Sequence, residues 1–155
     1  MKRYRSLIAL ELSLLFYLGC ISFRIDNPAP SENYLESVQL CKKIDESGEL
    51  FKPLEIQSEF SSKDELIICL VRLKRIETKI LLRWKWYSPE KEMVRDTGDV
   101  VINPDQKNLE AVTAYDRLKL SPVDNVQGLW TVAVFMNNKF IEKKTFQVRK
   151  EFASF

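Results

Sequence analysis

The chain contains no histidine. That removes the commonest general base, the commonest zinc ligand and every Ser-His or Cys-His dyad. Glycine is almost as scarce. Gly19, Gly48, Gly98 and Gly128 are the four, each where a segment turns or ends. No glycine-rich phosphate loop can be built from them. Cysteine is limited to Cys20, Cys41 and Cys69. Charge of one sign is missing too. Residues 1–19 hold Lys2, Arg3, Arg5 and Glu11, so 24 Lys+Arg and 22 Asp+Glu fall to 21 of each without them. A neutral remainder offers no footprint for nucleic acid. Ser, Asp and Lys are present, but no nucleophile–base spacing is visible, so the expectation is a non-catalytic chain without cofactor or metal.

What is present begins at the N-terminus, MKRYRSLIALELSLLFYLGC. Three cations precede an apolar run, Leu7 to Leu18, which ends in Gly19-Cys20. Positive start, short apolar stretch and small residue are the layout of a secretory signal. With Cys20 directly after Gly19, the segment resembles the signal of bacterial lipoproteins. That resemblance implies cleavage after Gly19, a diacylglyceryl group on the Cys20 thiol, and residence in the cell envelope facing the periplasm or cell surface. Two other readings of the stretch are a plain signal peptide cut after Gly19 and an uncleaved anchor over residues 6–23, which has about the length needed to span a bilayer. All three put the later residues outside the cytoplasm. The expected organisation is a helical signal over 1–19, a lipidated Cys20 with a Pro-containing tether over 20–35, one domain over 36–150 and a tail over 151–155.

From about residue 36 the patterning is that of strands. Val38 and Leu40 alternate with Gln39 and Cys41, which points Cys41 outward. Leu54, Ile56 and Phe60 are expected to share one face after Pro53. Over 64–76, Ser62 and Glu65 have capping-box spacing, yet Ile67, Cys69, Val71 and Leu73 alternate with Arg72 and Lys74, and Ile67, Ile68 and Val71 are β-branched. A strand is predicted, with Cys69 inward. Opposite facing argues against a Cys41–Cys69 disulfide, which an oxidising compartment would otherwise invite. The clearest two-residue period is KILLRWKWY, 79–87: Ile80, Leu82, Trp84 and Trp86 on one side, Leu81, Arg83, Lys85 and Tyr87 on the other. Further strands are expected over 93–102, broken near Gly98, and over 109–118. LWTVAVFM and KFIEKKTFQV then flank Asn137-Asn138, a hairpin turn. A two-residue loop there wastes the apolar side of Phe146 and Val148. Either a three-residue loop or a bulge within 141–145 must set Trp130 against Phe146.

Seven or eight short strands predict an all-β antiparallel sandwich or barrel. Cys69, Trp84, Trp86, the run Gly128-Leu-Trp-Thr-Val-Ala-Val, and Phe146-Gln-Val148 resemble small bacterial immunoglobulin-like domains, which implies a sandwich of that kind. Val132 and Val134 stand where true immunoglobulin domains carry a Tyr-x-Cys pair. Trp84, Trp86 and Trp130 read as core; Tyr87, on the outward face, is the better candidate for contact. Glu90, Glu92, Asp96 and Asp99 lack the loop spacing of an EF-hand and read as a solvated loop. Lys139 and Lys143 make the last hairpin basic; a contact with lipid head groups or anionic glycans is one reading, an edge strand blunted by Lys the plainer one. The expected role is a lipid-anchored envelope module with a protein partner, acting by contact. The alternative is a carbohydrate-binding or accessory domain of an envelope complex using Tyr87.

Overall fold

A computed structural model describes residues 34–104, 109–120 and 127–150, and every statement below concerns these. The signal, Gly19 and Cys20 lie outside them. The chain forms ten strands: β1 (Leu35–Asp45), β2 (Lys52–Ile56), β3 (Glu59–Ser61), β4 (Leu66–Ile76), β5 (Ile80–Tyr87), β6 (Met93–Asp96), β7 (Val100–Ile102), β8 (Leu109–Lys119), β9 (Gly128–Met136) and β10 (Lys139–Arg149). One sheet has the order β2-β1-β4-β8. The other runs β3-β10-β9-β5-β6, with β7 also on β5. The inward sides of both meet in one apolar core.

The count exceeds the seven or eight expected because two strands are interrupted. Gly98, at a φ of 66°, separates β6 from β7, where the sequence places a break. The second interruption corrects an expectation. Leu54 and Ile56 do not share a face with Phe60: the chain leaves the first sheet at residues 57–58, and Phe60 enters the second, buried beside Val148. Alternation identifies a side of a strand, not the sheet it joins. β3 also runs parallel to β10, so the sandwich is antiparallel in every pair but one.

β5 follows its two-residue period throughout. Ile80, Leu82, Trp84 and Trp86 are wholly buried, and the residues between them are half-buried. β4 is a strand, as predicted, and its first half is apolar on both faces. The β9–β10 hairpin resolves the register conflict by the bulge. Asn137 and Asn138 take φ of 50° and 63°, the conformation of a two-residue type I′ turn. Lys139 faces Met136 and Phe140 faces Phe135; the register then shifts before Glu142–Val134, so that Trp130 lies opposite Phe146. Their rings stack at 6.2 Å, and Phe146 also meets Trp86 and Phe60 edge-on. Such packing is worth about 1 kcal/mol per aromatic pair beyond the buried area. Beyond the bulge, Glu142 and Lys144 occupy inward-side positions opposite Val134 and Val132 and pair with each other at 3.6 Å. β3 meets the other edge of β10 only at residues 147–149, so charges in the inward register protect the remainder from edge-to-edge pairing.

Cys41 and Cys69 are on opposite faces of the first sheet, since Leu40, not Cys41, pairs with Cys69. Both are free thiols. Yet Cys41 is not exposed, as its outward parity suggested, but wholly buried. The tip of the β1–β2 hairpin folds over the outer face of its own sheet. Phe51 N–H donates to Thr113 Oγ1 at 2.8 Å, its ring meets Tyr115 edge-on at 5.3 Å, and Tyr115 O–H donates to Glu46. Ile68 and Leu70 are buried on the same face as Cys41. The domain therefore has a second, smaller core.

Candidate functional site

Three groups of side chains on the domain can do something beyond filling it. The first is a polar clip between the sheets. Asp116 faces inward on β8, next to Cys69. Its Oδ2 accepts from Trp86 Nε1 and from Arg95 Nε, both at 2.8 Å, and its Oδ1 accepts from Arg95 Nη2 at 2.7 Å. Trp86 and Arg95 belong to the other sheet, so one carboxylate ties the edge of the first sheet to β5 and β6 of the second. The bond to Asp116 raises the pKa of Arg95. Sequence reasoning missed this residue. The signal was available: Val112, Ala114, Asp116 and Leu118 share one side, and an acid in an apolar register needs a buried partner.

The second group surrounds β6. Arg83 donates to both oxygens of Asp96, and Gly98 N–H donates to Oδ1. These bonds, with Lys85 3.9 Å away, hold the Asp96 carboxyl at a pKa of about 2. Its lone pairs are thus committed to protein donors. No group of three His, Cys, Asp or Glu side chains suited to a metal ion occurs among the described residues. Lys85 also lies over the Phe135 ring at 5.2 Å.

The third group is the outer face of the second sheet, where Tyr87 and Lys143 both lie. Tyr87 faces Thr131 and is half-buried; Lys143 faces Ala133 and is exposed. They are two residues apart along β9. Lys139 is not with them. It sits opposite Met136 at the far end of β9, roughly 17 Å from Thr131 at about 3.4 Å per residue. The three residues singled out from sequence therefore divide into a pair on the face and one cation at an end. Exposed apolar side chains gather elsewhere: Met93 (54 %), Val94 (47 %), Val100 (38 %) and Val101 (53 %), along the interrupted β6–β7 edge. Met93 lies opposite Tyr87, which joins this edge to the face.

Neither a protein-family model nor a curated protein matches the chain. Among solved structures, it is similar to an immunoglobulin-like protein of Pseudomonas aeruginosa, at 17% identity over 76% of this chain and 95% of that one, with a TM-score of 0.45. It is also similar to part of the alkylpurine DNA glycosylase AlkC of Pseudomonas fluorescens, a structure bound to DNA containing an abasic site analogue. There the identity is 9% over 59% of this chain, the TM-score is 0.44, and the chain spans 27% of the glycosylase. At these values neither likeness carries an argument about function. The two-sheet architecture stands on the strand pairings alone.

Proposed function

We propose that the protein is a lipid-anchored envelope module with an immunoglobulin-like sandwich that acts by surface contact with another protein rather than by chemistry. The observation that carries the contact role is the β6–β7 edge. Four large apolar side chains are exposed along one short, interrupted strand edge, and exposed apolar surface gathered on an edge marks an interaction site. Tyr87 extends that surface onto the sheet face. Anchoring rests on the Gly19-Cys20 signal, with its diacylated cysteine meeting the two-chain condition for stable membrane attachment.

Two measurements test the two halves. The intact mass of membrane-extracted protein should show loss of residues 1–19 and gain of a diacylglyceryl group; an unprocessed N-terminus overturns the anchor. A photo-crosslinker at Val101 should trap one discrete envelope protein, whereas the same group at Leu54, exposed on the other sheet, should not. Equal labelling from both positions removes the β6–β7 edge from the proposal.

A further inference from the structure

The register gathers one set of cations at a single end of the sandwich. β1 begins there, with Tyr34 C=O accepting from Lys74 N–H and Leu35 opposite Leu73. The β4–β5 connection, residues 77–79, crosses between the sheets there. Asn137 at the tip of the last hairpin is bonded to Leu81 at the same end, through its N–H and its Oδ1. The exposed cations of this end are Lys74, Arg75, Lys79 and Lys139; its exposed anions are Glu77, Glu110 and Glu36, the last paired with Arg72 at 3.0 Å. Among the described residues none of the four cations has a carboxylate within ion-pair distance. Phe140, exposed at 59 %, follows Lys139 and rests on Phe135 at 5.9 Å. The opposite end differs in its balance of charge. Lys52, Lys91, Lys119 and Lys150 are exposed there too, but Glu46, Glu49, Glu65, Glu90 and Glu92 stand among them, while Lys42 is paired with Asp64 and Arg149 with Glu59.

Tyr34, which enters β1 at the end that carries these cations, follows Cys20 by 14 positions in the sequence. We infer that this end is a second membrane contact: Lys74, Arg75, Lys79 and Lys139 face anionic lipid head groups, with Phe140 entering the interface. The inference rests on the anchored reading and adds the orientation of the domain. Each cation near an anionic surface adds attraction, and an exposed aromatic beside them adds apolar burial. A short tether makes the contact effectively intramolecular, so a weak surface is enough to orient the domain. The β6–β7 edge then stands upright, along the membrane normal, with its face open to a partner.

The experiment places the full membrane-extracted chain in vesicles of phosphatidylcholine, alone or mixed with phosphatidylglycerol. Amine acylation is then read lysine by lysine by mass spectrometry. In anionic vesicles, labelling of Lys74, Lys79 and Lys139 should fall several-fold relative to neutral vesicles, while Lys91 and Lys119 at the far end stay unchanged. The protection should vanish in about 1 M salt, where the screening length is about 3 Å. The double variant Lys79→Glu, Lys139→Glu, both at exposed sites, should remain folded and anchored, and lose the composition-dependent protection, read at the retained Lys74. Retention with equal labelling at both ends overturns the inference and leaves the anchor standing. An unlipidated, processed chain that binds only anionic vesicles overturns the anchor and supports the inference. Failure to associate with either vesicle overturns both.

Discussion

The two cores of this domain teach different lessons about what a buried residue needs. The main core is closed from both sides by regular sheets. Trp84, Trp86, Trp130 and Phe146 fill it, and each is held by ladders on two or more strands. The second core has one regular wall. Its other wall is the folded-over hairpin tip, fixed by Phe51 on Thr113 and Tyr115. Cys69 lies in the first, Cys41 in the second. Burial pushes the pKa of both thiols up, and pushes Cys69 furthest, with Asp116 adding to the effect. The Trp84 indole N–H is buried with no hydrogen-bond partner of its own and lies next to the Cys69 sulfur, a weak acceptor. Opening the first core requires unfolding; opening the second requires only release of a hairpin tip.

The sharpest way to break the main core is Trp84→Ala. It should cost roughly 3–5 kcal/mol, read as a lower urea midpoint with an unchanged slope. Asp116→Ala comes next. It leaves the buried Trp86 N–H without its acceptor and should cost about 1–3 kcal/mol. Arg95→Ala should be milder, since Arg95 is more exposed than its partner. Phe51→Ala should cost about 1–2 kcal/mol, less than a fully buried aromatic. Its decisive readout is chemical. Alkylation of native protein should speed up at Cys41 and stay unchanged at Cys69; equal acceleration at both would show that the cores open together. Acid titration probes the surface beside them. The Asp96 pKa is depressed to about 2 from an unfolded value near 3.9, so its contribution is fully present above about pH 4 and fades as pH falls through 2. Asp96→Asn should remove that part of the acid limb of the stability curve. Smallest of all, Leu54→Ser, at an exposed site outside both cores, should stay within about 0.5 kcal/mol.

The same contrast explains what could be read from sequence. The main core was legible wherever a strand lies between two neighbours. β5 follows its alternation residue by residue. The bulge in β10 could be anticipated because Trp130 and Phe146 had to meet. The second core was not legible, because alternation tells which way Cys41 points but not whether a distant hairpin tip covers it. The split of 53–60 between two sheets was hidden for a related reason: Ile56 and Phe60 satisfy one period while joining different layers. Of the candidate contact residues, Tyr87 has the outward position its parity assigned. The basic end escaped notice because Lys74 and Lys79 meet Lys139 only through topology, across 60 positions of chain. Gly128 shows the limit of reading a glycine as a turn. Its φ is 127°, and an added Cβ would lie 2.8 Å from the Pro89 ring, so the residue permits a close approach between β9 and the loop after β5.

The order of strands in the second sheet also sets a timetable. β9 and β10 are made last, yet β9 lies between β5 and β10 at the middle of that sheet, and β3 can dock only on β10, 88 positions further along the chain. A nascent chain that ends before residue 128 has β5 without β9 beside it, so the layer that carries Trp84 and Trp86 is incomplete. The N-terminal half cannot commit to the native state ahead of the C-terminal half. Native contacts of such long sequence separation make folding slow and all-or-none. Until β9 and β10 emerge, the second sheet lacks its centre, in the condition a chaperone accepts.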